Sequence, residues 1–235
     1  MSAPTAPPDA TRDRVRSGWA SKLDVDVSLF LEPRITLVPN ENSKSIFALE
    51  LQDSVVVLCP ASLLPVLSPL SHNELLDMNL LLRILHAYQP KPFGIASIAY
   101  AHAGTLRESP AVGLTRVANS QDAQVLFASC TQSERDESGV AGMPNLFVAQ
   151  SADGRAAAIA GYEAWNADIA QMGVLANPIQ RGRGLAFAAA SVAVQASLDA
   201  GLIPQWRVRI GNQSSYRLGQ RLGFYEMGRQ LAIDL

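Results

Sequence analysis

The residues best placed to do chemistry are Gln180-Arg181-Gly182-Arg183-Gly184-Leu185-Ala186. They follow an apolar run ending Met172-Gly173-Val174-Leu175 and open an Ala-rich segment, Leu185 to Ala200, without Gly or Pro. That order reads as strand, turn, glycine-rich loop, helix. The first N–H groups of a helix have no intrahelical acceptor, and the peptide dipoles there favour negative charge. Glycine lets an anion approach the main chain without a Cβ in the way. The stretch is therefore suited to hold a phosphate, with Arg181 and Arg183 beside it. Plain solvation is the alternative for each arginine, and one of the two is expected to be only solvated.

Two glycine-loop patterns are excluded. A dinucleotide fingerprint needs a third glycine where Phe187 stands, and a P-loop needs Gly-Lys-Ser/Thr at its end. What remains is Arg-x-x-Gly-x-Ala, met by Arg181, Gly184 and Ala186. Asn212 falls after the next expected strand, followed by Ser215 and then Leu222-Gly223-Phe224. With the strand Ile169 to Leu175, Pro178 and the helix to Ala200, these pieces resemble the GNAT superfamily of acyl-CoA-dependent N-acyltransferases. The resemblance covers about Ala111 to Leu235.

The resemblance implies an α/β (α+β) fold, a mixed and mostly antiparallel central sheet flanked by helices. It implies acetyl-CoA, or another short acyl-CoA, as cosubstrate and a small-molecule or protein amine as acceptor, the amine attacking the thioester directly in a ternary complex. The pantetheine arm would pair with the backbone of Gly173, Val174 and Leu175 in a splayed gap between strands. The pyrophosphate would rest on Gly182, Arg183, Gly184, Leu185 and Ala186, with Arg181 and Arg183 adding charge. Asn212 would meet the pantetheine amides. Ser215 would lie near the cofactor or cap the last helix. A backbone N–H of Val174 or Leu175 would face the thioester oxygen. Many relatives carry a tyrosine seven residues after the asparagine, as the acid for the thiolate. Here that position is Gly219, and Tyr216 lies one turn earlier.

Glu163 is the candidate base, against an ordinary exposed carboxylate at a strand end. Tyr162 and Trp165 are read as core packing or pocket walls, and Asp168 as a turn residue. His72, His86 and His102 lie outside the matching region and are assigned surface or packing roles. No cluster of residues suggests a metal. Gly219 and the lack of an obvious base keep a non-catalytic acyl-CoA sensor, or an interaction protein, as the alternative.

These residues need elements to position them, and 235 residues suffice for one large domain or two small ones. At 48% hydrophobic, the chain can bury a core. A net charge of −2 gives no basic excess for nucleic acid or a membrane surface. No run approaches the roughly 18 apolar residues of a membrane span, and the first residues lack the apolar core of a signal peptide. A cytoplasmic setting follows, and Cys59 and Cys130 are expected as buried free thiols. Bacterial origin is the expectation, and a homodimer is left open.

Residues 1–16, Pro-rich and charged, read as a flexible tail. Residues 17–105 read as a small α+β domain with strands over Val25 to Leu31, Arg34 to Val38, Ile46 to Leu51 and Ser54 to Cys59. A helix is expected over Asn73 to Tyr88, with a Ser71/Glu74 capping box. This domain is expected to be a degenerate copy of the same fold, a pocket wall or a dimerisation module. Residues 111–235 read as the acyl-CoA-binding domain. Its expected strands are Gly113 to Val117, Asn145 to Gln150, Ala156 to Trp165, Ile169 to Leu175, Gln205 to Ile210 and Tyr225 to Leu235. Its expected helices are Ser120 to Cys130, Leu185 to Ala200 and Ser214 to Leu222.

Overall fold

The computed structural model describes residues 4–109 and 111–235. Its helices are α1 (Asp9–Leu23), α2 (Leu64–Leu67), α3 (His72–Leu75), α4 (Met78–Ile84), α5 (Ser120–Ser129), α6 (Gln132–Ser138), α7 (Leu185–Asp199) and α8 (Gln213–Leu222). Its strands are β1 (Ile35–Pro39), β2 (Ser45–Leu51), β3 (Ser54–Cys59), β4 (Lys91–Tyr100), β5 (Thr115–Val117), β6 (Asn145–Gln150), β7 (Ala156–Trp165), β8 (Ile169–Ala176), β9 (Ile203–Arg209) and β10 (Tyr225–Asp234). The expected architecture is present: mixed α/β, with mostly antiparallel strands and flanking helices.

The chain divides into two compact units. The first holds residues 4–18, 100–206 and 214–225. Strands β5 to β8 run antiparallel in sequence order, and β8 then pairs in parallel with the start of β9. Helix α7 lies across β6, β7 and β8. Its alanines Ala188, Ala189, Ala190 and Ala193 are fully buried, so the small side chains let the helix sit close to the strands. Leu126 of α5 and Cys130 just after it pack with Val148, Ile159 and Leu175.

The second unit holds residues 19–99, 207–213 and 226–235. The boundary expected between residues 105 and 111 is therefore corrected. Strand β10 does not close the C-terminal domain; it registers on β2 from Gly228↔Leu51 to Asp234↔Ser45. Leu231 and Ile233 then reach a core with Ile46, Ala48, Val55 and Val57. A cut near Ser109 would strip β10 of β2.

The expected tail is corrected too. Asp9–Leu23 is helical, because the prolines precede it and Pro8 supplies the first carbonyl, accepting from Thr11 and Arg12 at 3.0 Å. Its charges are used as links: Arg14 donates to Asp168 at 2.7 Å and to the Gly201 carbonyl at 2.8 Å. Val25 to Leu31 is not a strand. Asp26 accepts from the Ser28 N–H at 2.8 Å, and this side-chain turn diverts the backbone into a 3-10 turn over Val27–Phe30. The Ser71/Glu74 capping box is present, but the helix it starts stops after one turn. Asp77 caps a second one, accepting from Leu80 at 3.1 Å. Asn119 caps α5, accepting from the Asp122 N–H at 2.9 Å. Strand β4 and helix α6 were not expected.

In the second unit Glu50 has little exposure and three tight contacts. His72 Nε2 lies 2.6 Å from Oε1, and Arg229 donates to Oε2 at 2.6 Å and Oε1 at 3.1 Å. Burial pushes the carboxyl up, but the hydrogen bonds from Arg229 and His72 prevail and hold it below the usual range. Its contribution to stability is thus complete above the unfolded-chain value of about 4.3 and is lost as pH falls through the lower folded value. Glu50→Gln is expected to lower stability at pH 7 by about 1–2 kcal/mol. Urea titrations should show wild type and variant converging as the pH falls toward 3. A pH-independent gap between them would refute this.

Candidate functional site

Strand β8 is paired on one side over its whole length and on the other only at its start. Its register with β7 runs from Trp165↔Ile169 to Ala158↔Ala176. With β9 it pairs only at Ile169↔Ile203, Ala170↔Pro204 and Gln171↔Gln205. The phase of the ladder follows from one bond: Asn177 N–H donates to the Ala157 carbonyl at 2.9 Å. Ala158↔Ala176 is then a non-hydrogen-bonded pair, and main-chain groups alternate from there. Gly173 and Leu175 turn theirs toward β7, while Met172, Val174 and Ala176 turn theirs away. The Ile203 N–H donating to the Asp168 carbonyl at 2.7 Å agrees with that phase.

The register with β9 ends at Gln171↔Gln205, a pair that in this phase still uses the Met172 N–H. The Met172 carbonyl accepts from Gln171 Nε2 at 3.1 Å, and the Ala176 carbonyl from Arg181 Nη2 at 3.3 Å. Val174 keeps its N–H and C=O turned to the gap. Of the two N–H groups expected to face a thioester, the ladder phase admits Val174 and uses Leu175 in the sheet. Gly173 has a different reason to be glycine. A Cβ there would lie 2.8 Å from the Ser138 carbonyl oxygen and 2.9 Å from Met143 Cε, so the end of α6 rests on the strand.

After β8, Asn177 accepts from Ile179 at 3.0 Å and starts a 3-10 turn over Pro178–Gln180. The chain then passes through Gly182 (φ +79°) and Gly184 (φ +78°) into α7. A Cβ on either glycine would meet nothing within 4 Å. No side chain caps α7. Its first internal bond is Ala188 N–H to the Gly184 carbonyl, at 3.0 Å. The N–H groups ahead of it receive no side-chain cap from Gly184 and stand at the positive end of a 15-residue helix dipole. Arg183 is exposed and has no hydrogen-bond or ionic partner among the described residues. Arg181 is not simply solvated: its Nη2 donates to Glu134 Oε1 at 2.5 Å.

Near the start of α8, Trp206 Nε1 donates to the Ser215 carbonyl at 3.2 Å and lies 3.3 Å from its Oγ. Ser215 therefore serves the indole. A Cβ on Gly219 would stand 2.9 Å from Trp206 Cδ1, so the indole fills the place where a tyrosine would begin. Tyr216 accepts from Gln220 Nε2 at 3.1 Å. Asn212 sits in the turn after β9 and donates its N–H to the Arg209 carbonyl at 3.0 Å; it falls in the second unit.

Glu163 is exposed and opposite Gln171. Gln171 in turn is opposite Gln205, so the three side chains share one sheet face at the point where β8 and β9 part. Gln205 is fully buried, with Nε2 3.3 Å from Tyr100 Oη and Oε1 unpartnered. Sequence reasoning missed Glu134, Gln205 and Trp206. Thr131-x-x-Glu134 is a capping signature that marked α6, and Gln205 is an inward polar position in an alternating strand.

Tyr162 is buried opposite Met172, and Trp165 is opposite Ile169. Asp168 is paired with Arg14. Among the histidines outside the site, His86 Nδ1 meets the Arg83 carbonyl at 3.2 Å, and His102 Nδ1 accepts from the Gly104 N–H at 3.2 Å. Cys59 and Cys130 are free and buried. Among the described residues no group of three metal-ligating side chains occurs, and no helix is long and apolar enough to cross a membrane.

Residues 149–230 match the family model described as GNAT acetyltransferase. A search of curated proteins found no match. Among solved structures, a GCN5-related N-acetyltransferase from Kribbella flavida shares 20% identity at TM-score 0.49, over 66% of this chain and 63% of that one. A GNAT-family acetyltransferase from Colwellia psychrerythraea shares 15% at TM-score 0.46, over 62% and 57%. A GCN5-related N-acetyltransferase-like protein from Streptococcus suis shares 17% at TM-score 0.46, over 82% and 84%. The chain spans less than two thirds of the length of the first two. The matched stretch, about a third of the chain, holds β7, β8, the glycine loop, α7 and α8, and it is this part that is similar to GNAT acetyltransferases.

Proposed function

We propose that the protein is an N-acyltransferase that moves an acetyl or other short acyl group from acyl-CoA to a primary amine, on a small molecule or a protein, in the cytoplasm. One observation carries the reading: the uncapped start of α7, with two glycines at positive φ and no side chain in the way. These residues fit a diphosphate, because N–H donors and a helix dipole meet there and Arg181 and Arg183 flank Gly182 in the same loop.

The N–H groups from Gly182 to Ala186 would hold the diphosphate, and Arg181 and Arg183 would add charge. Val174 would pair with the pantetheine arm. When bound, the thioester would supply an activated acyl carbon. The Val174 N–H is the chain's fixed donor toward negative charge developing in the gap. Glu163 is the acceptor for the amine proton, at the exposed end of the row Glu163, Gln171 and Gln205. No side chain replaces the tyrosine acid at Gly219, and a thiolate with an ordinary pKa of about 8.5 leaves without one.

Trp206 filling the place of that acid favours a second reading, an acyl-CoA sensor without turnover. Calorimetry with acetyl-CoA and a thiol-release assay over an amine panel separate the two. Binding with thiol release supports the transferase, and binding without release supports the sensor. No binding heat would remove both.

A further inference from the structure

We infer that Glu134 is a positioning residue that holds the Arg181 guanidinium in place and thereby raises the affinity of the α7 loop for a diphosphate. The inference rests on the coenzyme A reading above. Glu134 is the third residue of α6, and its two oxygens have separate tasks. Oε2 accepts from the Thr131 N–H at 2.8 Å and the Thr131 hydroxyl at 2.9 Å, completing a capping box. Oε1 accepts from Arg181 Nη2 at 2.5 Å. A carboxylate tied into its own helix cap cannot follow the arginine; it fixes it.

The base of α6 is fixed as well. Arg135 donates to the Phe127 carbonyl at 2.6 Å, to the Cys130 carbonyl at 2.9 Å and to Gln132 Oε1 at 2.6 Å, stapling the α5–α6 corner. The Thr131 N–H, then Arg181, then the Thr131 hydroxyl hold the Glu134 carboxyl down at about 2, so it stays ionised at any working pH.

On the arginine, only Nη2 is used, by Glu134 and by the Ala176 carbonyl at 3.3 Å. The Nε and Nη1 donors stay available for an anion. An arginine already held loses less rotamer freedom on binding than a loose one. The Glu134 charge opposes an incoming diphosphate, but the pair is solvent-exposed and that repulsion is screened, so orientation dominates.

The test uses the full chain. Acetyl-CoA affinity is measured by calorimetry, and S-acetylpantetheine, which lacks the diphosphate, is followed by ligand line broadening in NMR. Glu134→Ala is expected to weaken acetyl-CoA binding about 3- to 10-fold, leave S-acetylpantetheine unchanged, and add nothing to Arg181→Ala. Glu134→Gln, with one acceptor oxygen for either Thr131 or Arg181 but not both, should fall between wild type and Glu134→Ala. Arg181→Lys, which can reach Glu134 or a phosphate but not both, should lose nearly as much as Arg181→Ala; this arm stands even if Glu134→Ala does not fold. Unchanged or tighter acetyl-CoA binding in Glu134→Ala, an equal loss for S-acetylpantetheine, or full affinity in Arg181→Lys would overturn the inference. If wild type binds no acetyl-CoA, the cofactor reading fails and Glu134 loses this role with it.

Discussion

Replacing Gly184 by aspartate is expected to weaken acetyl-CoA binding by at least ~100-fold, with only a modest loss of stability. Gly184 is the N-cap of α7 at φ +78°, and a Cβ there meets no atom within 4 Å. Aspartate tolerates this backbone region better than most residues, so strain contributes about 1 kcal/mol. The side chain enters the space in front of the uncapped N–H groups, where the diphosphate would rest. Two unit charges about 4 Å apart repel by roughly 1–4 kcal/mol, and a diphosphate carries more than one. The carboxylate also competes for the same donors. Gly184→Ala separates the terms, since it keeps the strain without the charge and should lose several-fold at most. Calorimetry on wild type and both variants decides. Near-wild-type affinity in Gly184→Asp would mean that the anion site lies elsewhere.

The loop was legible because its signals are local. Glycines at Gly182 and Gly184, arginines before and between them and an alanine run of helical length need no distant partner to be read. The same holds for the β6–β7 hairpin and for β8. What the sequence could not show is which side of β8 is unpaired. Val174 and Leu175 are equal candidates until the bond from Asn177 to Ala157 sets the phase of the ladder. Distant pairings were hidden for the same reason. Strand β10 follows α8 in the chain, yet its register lies on β2. Arg14 reads as one charge in a polar tail, yet its partner is Asp168. Strand β4 begins Lys91-Pro92-Phe93-Gly94, and Pro and Gly are breakers in any local reading. Glu134 carries an ordinary capping signature, and only its approach to Arg181 gives it a role at the site.

Gly223→Ala is expected to destabilise the protein by about 4 kcal/mol, a large share of the 5–15 kcal/mol that typical domains have. Two effects add. The residue sits at φ +100°, where a side chain is strained by about 1–3 kcal/mol. Its Cβ would also fall 1.9 Å from the Thr105 carbonyl oxygen. That oxygen is backbone and cannot rotate away, so the segment itself must shift, at about 1–3 kcal/mol. The Arg107 N–H donates to the Leu222 carbonyl at 3.1 Å, which ties the same segment to the end of α8. The turn also delivers Phe224 to Trp206, with ring centroids 5.3 Å apart, and Trp206 in turn holds Ser215. Gly201→Ala provides the control. Its φ is +76°, and its Cβ would meet nothing within 4 Å, so only the strain remains. Urea unfolding of the two variants should differ by about 2 kcal/mol or more, the part due to the carbonyl contact. If both lose the same amount, the approach of Thr105 to α8 is looser than described, and the Leu222-Gly223-Phe224 turn needs its glycine for backbone conformation alone.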